Sequence, residues 1–159
     1  EEGLPRAELN RRRFERELLS LSAQRPDIAL RHADALAQTQ WHEQAHALIA
    51  QSLLDTLSED PAASAALIVT RAAQALPAAA SILTSGSMTN ATAPEPLAAF
   101  LVEELSIGDA EDAVAALKAQ LADPARLPAD EYEMLYETVA AMQKDLLRRR
   151  KAHKPLASS

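Results

Sequence analysis

Apolar residues recur along this chain in steps of three and four, and prolines cut the recurrence into helix-sized lengths. From Leu9 to Gln24, Phe14, Leu18 and Leu21 share a face, with Leu9 and Leu19 widening the stripe; Pro26 then halts it. Asp27 to Ala37 predicts a short second helix carrying Ile28, Leu30 and Leu36. Trp41 to Leu57 predicts a longer one, with Trp41, Ala45, Leu48, Ser52 and Leu53 close to one face. Asp60-Pro61 reads as an N-cap followed by proline at the first position of a fourth helix, which Leu67, Ile68, Ala72 and Leu76 continue. Ala78 to Leu83 predicts one more short piece. No segment alternates with the period of two that a strand requires, so the fold class is all-α.

Thr84 to Pro94 is polar and contains Gly86, and it predicts a linker inside the chain. Beyond it, Leu97, Leu101 and Leu105 form one stripe, and Ala110, Val114, Leu117 and Leu121 form another. The apolar phase slips between them, at Gly108. That slip predicts a long helix from about Pro94 to Ala122, kinked or loosened near Gly108, with two separate helices as the alternative. Asp123 to Asp130 is a turn. A last helix runs from Pro128 to about Lys151, with Tyr132, Leu135, Val139, Met142 and Leu146 as a seam for an antiparallel neighbour. At 1.5 Å per residue it is roughly 35 Å long. The predicted architecture is a helical bundle joined by a long helix to a C-terminal antiparallel hairpin. Residues 1–92 form the bundle, 93–122 the connecting helix, 123–152 the closing arm, and 153–159 a tail.

Composition narrows the picture. A chain of 159 residues holds one ordinary domain, or a bundle with a small appendage. Much of its 48% apolar content is alanine, and three glycines among so few aromatics favour helix. A formal charge of -7 argues against the whole domain wrapping nucleic acid. With no cysteine, disulfides and thiolate zinc sites are excluded, which is compatible with a cytoplasmic home. The longest uncharged stretch, Ala72 to Pro94, is too polar and too broken to span a bilayer. No signal peptide is visible and the first residue is glutamate, so the chain reads as a fragment of a longer protein.

Four stretches carry candidate chemistry. His42, Glu43 and His46 spell H-E-x-x-H, which on a helix places two imidazoles for zinc and a glutamate to activate water. No third ligand stands at a recognised spacing, so surface histidines are the better reading, with a zinc-dependent hydrolase as the rival and a free-standing helical adaptor as a further alternative. Arg11, Arg12, Arg13 and Arg16 cluster at the front of the first helix. Either they solvate a face that Glu8, Glu15 and Glu17 partly neutralise, or their guanidinium forks dock an acidic peptide. The basic run Arg148 to Lys151 sits at a helix C-terminus, where cations complement the macrodipole. Finally, Met134, Tyr136 and Leu147 lie off the hairpin seam, and Leu127 sits in the turn. This apolar surplus marks either packing on the bundle or a partner surface.

Two end segments carry a family resemblance. Glu15, Leu18, Leu19, Leu21, Gln24 and Pro26 fit E-x-x-L-L-x-L-x-x-Q-x-P. Val114, Ala115, Leu117, Lys118 and Leu121 follow, then Glu131, Tyr132, Leu135, Val139, Met142 and the basic end. Together they resemble the C-terminal domain of bacterial replicative DNA primase, firmly at both ends and only in helix rhythm between Leu36 and Leu105. The resemblance implies a non-catalytic interaction domain needing no cofactor or metal, since the zinc-binding and RNA-polymerising domains of such a primase lie upstream. It implies that the hairpin binds the N-terminal domain of the hexameric replicative helicase, recruiting primase to the replication fork; the apolar surplus Leu127, Met134, Tyr136 and Leu147 would then supply the anchors. It also implies that Arg11, Arg12 and Arg16, with Leu19 on the apolar side, take the acidic C-terminal tail of single-stranded-DNA-binding protein. A monomer is expected for the domain alone, with weak nucleic-acid contact at most. Phe100 to Val114 looks a few residues short of the family pattern.

Overall fold

The structure, a computed structural model, describes residues 3–88 and 93–153. Part of the expected linker (89–92) and nearly all of the expected tail (154–159) lie outside the described residues. The described chain is all-helical, without a strand. Eight α-helices follow in order: α1 (Arg6–Gln24), α2 (Pro26–Arg31), α3 (Ala33–Gln38), α4 (Gln44–Glu59), α5 (Ala65–Ala75), α6 (Ala79–Leu83), α7 (Pro94–Leu121) and α8 (Ala129–Ala152). The chain forms two compact units that meet in sequence between Leu105 and Ser106.

The first unit closes around α1. Leu18, Leu19 and Leu21 are fully buried there, together with Ile28, Leu36, Ile49, Leu53, Ile68 and Leu83 from the helices that follow. Leu97, Leu101 and Leu105 of α7 belong to the same core. Each such side chain contributes about 1.5–3 kcal/mol by leaving water, so losing three from one arm would cost the bundle heavily. The bundle therefore extends past residue 92, where the polar stretch suggested a boundary, and takes in the first part of α7. Phe14 and Phe100 meet edge to face, with ring centroids 6.1 Å apart, and join α1 to that part of α7.

Local chemistry explains three departures from the expected boundaries. The second helix is two helices, because the backbone leaves helical geometry at His32 (φ -109°, ψ 19°) while its N–H still bonds back to Ile28 and Ala29. Asp60 does not cap α5. Its carboxylate accepts from the Ala62 N–H at 3.0 Å, stabilising a turn, and Ser64 is the N-cap, accepting from the Leu67 N–H at 3.1 Å. Helix α4 starts at Gln44 and not at Trp41, because the His42 N–H is drawn to the Glu15 carboxylate and Glu43 is extended. Helix α7, by contrast, runs unbroken through Gly108, which settles the choice between one helix and two.

The second unit holds the rest of α7, a 3₁₀ turn at Pro124–Arg126, and α8. Val114 and Val139 are buried, and Leu117, Leu121, Tyr132, Leu135, Met142 and Leu146 are half-buried. Acidic Asp130 and Glu131 open α8 and Arg149, Arg150 and Lys151 close it, as the macrodipole favours.

Candidate functional site

Two helices expose more surface than their shared seam can cover, and the surplus on α8 follows from that. Met134 is 69% exposed, Tyr136 58% and Leu147 73%, while Leu127 is half-buried beside a hollow lined by Ala119, Gln120, Asp123 and Arg126. A second hollow opens between the helices next to Leu147, lined by Glu111, Val114, Lys118, Gln143 and Leu146. The open end of the hairpin is tied by polar contacts. Arg150 pairs with Glu111 at 2.7 Å, and Arg149 donates to the Ser106 hydroxyl at 2.9 Å. Arg148 pairs with Asp145 within α8 at 2.6 Å. Arg149 and Arg150 close the unit on itself, although each exposed contact contributes only about 0–1 kcal/mol.

The arginine cluster of α1 divides. Arg11 is buried and points inward: its Nε bonds Glu15 at 2.7 Å, and its two terminal nitrogens donate to the backbone carbonyls of Leu105 (3.1 Å) and Gln40 (2.9 Å). Leu19 has no exposure at all. Neither residue offers a surface to an acidic tail, so the dock that the resemblance implies loses both its inner cation and its apolar wall. Arg12 is partly covered, with its Nε buried and lacking a hydrogen bond, 3.8 Å from a Glu8 oxygen. Arg16 is half-buried and has partners within the chain, and Arg13 is exposed.

The histidines of HEQAH occupy the same interior. His46 is buried, with Nδ1 2.8 Å from one Glu15 oxygen and Nε2 3.4 Å from Glu43. His42 holds Glu8 through Nδ1 at 2.7 Å, and its N–H donates to Glu15 at 2.8 Å. Burial alone would push the Glu15 carboxyl up. The hydrogen bonds from His46, from the His42 backbone and from Arg11, aided by the Arg11 charge, outweigh it and hold Glu15 below the usual carboxylate range. His42 and Glu43 precede α4, so the motif is not presented on one helical face. Among the described residues, no three-ligand cluster contains both His42 and His46. The surface-histidine reading does not hold for His46, which is a buried residue serving Glu15.

By position in the sequence, Glu15 and Glu17 are expected to neutralise part of the arginine cluster. Glu15 instead organises a buried polar network. Glu17, also buried, receives the Ser87 N–H (3.0 Å), the Ser87 hydroxyl (2.9 Å) and the Met88 N–H (3.2 Å). A glutamate three residues before another core-facing position was the available signal, since Leu18 and Leu21 place Glu17 and Glu15 at the stripe's edges.

No family model, curated protein or solved structure matches the chain. No described helix is long and apolar enough to cross a membrane.

Proposed function

We propose that the chain is a non-catalytic interaction domain of the primase type, which binds the N-terminal domain of the replicative helicase through its C-terminal hairpin. The observation that carries this reading is the exposure of Met134, Tyr136 and Leu147 on an arm whose seam is already filled by other residues. Large apolar side chains left in water on a two-helix unit are what a protein partner covers. The end-segment resemblance to primase supplies the partner's identity. The hairpin acts as the tether.

The test is a titration of the helicase N-terminal domain with the wild-type chain and with Tyr136→Ala. Truncating a central aromatic anchor weakens binding about tenfold or more, with helical content unchanged. Wild-type affinity in the variant, and in Leu147→Ala and Met134→Ala beside it, refutes the assignment of this surface.

A further inference from the structure

The exposed charges of α8 follow a pattern that neither the hairpin seam nor the helix ends explain. Glu133, Glu137, Ala140, Lys144, Leu147 and Lys151 recur in steps of four and three, with Tyr136 beside them, so they form a second longitudinal stripe. All seven residues are exposed. Glu133, Glu137 and Lys144 lie between the first and last turns, where the macrodipole has little influence. Among the described residues, Glu133, Glu137, Lys144 and Lys151 have no ion-pair partner. Like charges sit one turn apart, Glu133 with Glu137 and Lys144 with Arg148, which an isolated helix does not favour.

Turning the helix end for end about its midpoint near Ala141 pairs these features with one another. Tyr136 then lies opposite Leu147, Glu133 opposite Lys151 and Glu137 opposite Lys144, each within about two residues of a common register. We propose that this stripe is self-complementary, and that α8 pairs antiparallel with α8 of a second copy of the chain. The contact is isologous, so every pair occurs twice. Tyr136 of one copy reaches the hollow beside Leu147 of the other, which Val114 and Leu146 line with apolar surface and Glu111, Lys118 and Gln143 with polar groups. From Glu133 to Lys151 the stripe is about 27 Å long at 1.5 Å per residue. One helix pair of that length lies at the small end of interface sizes, so the association is weak and the dilute chain is monomeric. Because it covers Tyr136 and Leu147, self-pairing and the helicase contact exclude each other. The two remain separable by experiment, since only the self-pairing depends on the chain's own concentration.

Sedimentation velocity of the full chain, from about 10 µM to about 1 mM at low salt, reads the association directly. The average mass rises toward a dimer, and added salt reverses the rise. The double variant Glu133→Lys with Glu137→Lys stays monomeric, and so does Lys144→Glu with Lys151→Glu. Both exchanges keep good helix formers on an exposed face, and circular dichroism checks that α8 persists. Mixed one to one, the two variants recover a dimer, because an all-basic stripe then meets an all-acidic one. A wild-type chain that stays monomeric up to about 1 mM overturns the proposal. So does a dimer that survives either reversal, or a mixture that fails to associate.

Discussion

The Nδ1 atom of His46 lies 2.8 Å from Glu15, and both side chains are sealed from solvent. Breaking a buried pair costs more than making it gains, because the abandoned partners stay buried. Glu15→Gln removes the charge that Arg11, His46 and the His42 N–H all address, and it should cost about 3–5 kcal/mol in urea unfolding.

The same carboxylate predicts acid sensitivity. Its folded pKa is depressed, so its contribution is present above the unfolded value of about 4.3 and is lost as pH falls through the lower folded value. Wild-type stability should therefore drop below about pH 4.3, and the drop should be shallower in Glu15→Gln. Parallel pH profiles for the two proteins would show that Glu15 is not the group responsible.

Leu19→Ala separates the two accounts of α1. A core position with no exposure predicts a loss of about 2–5 kcal/mol in stability. A wall of an open acidic-tail pocket would instead predict normal stability with weakened peptide binding, and chemical denaturation beside a peptide titration distinguishes them.

Ser64→Ala should cost about 1 kcal/mol, because Ser64 caps α5. Asp60→Ala removes only a turn contact to Ala62 and should cost less. An inverted order in denaturation midpoints would return the cap to Asp60.

Gly86→Ala should destabilise by about 1–3 kcal/mol, since a Cβ there would stand 2.6 Å from the Ser20 hydroxyl and 3.0 Å from its Cβ. Ser20 bonds both the Leu83 carbonyl and the Gly86 N–H, so it has little freedom to move aside. Thermal unfolding at unchanged temperature in this variant would mean that the contact relaxes without cost.

Much of the fold is legible in the sequence because apolar spacing is a local signal. Leu18, Leu21, Ile28, Leu36, Leu53 and Ile68 all lie in the core that their periodicity implies. Pro26 opens α2 as a first-turn proline should. Asp60-Pro61 misleads for an equally local reason. Ser64 offers a competing hydroxyl four residues on, and only packing decides which cap forms. The polar interior is not legible in this way. Arg11 and Glu15 stand four apart and look like an ordinary surface pair until His46 and the Leu105 carbonyl, distant in sequence, close over them. The exposed surplus of α8 is legible by subtraction, since five residues fill the seam and the others remain outside it.

Helix α7 gives its opening leucines to one core and its later valine to another seam, without a break between. Severing the chain within the polar stretch from Thr84 to Pro94 would therefore strip Leu97, Leu101 and Leu105 from the bundle and leave them as a greasy overhang on the excised hairpin. Neither fragment would be a faithful module, and a chimera that grafts this arm onto another scaffold must carry the stem of α7 together with its footing.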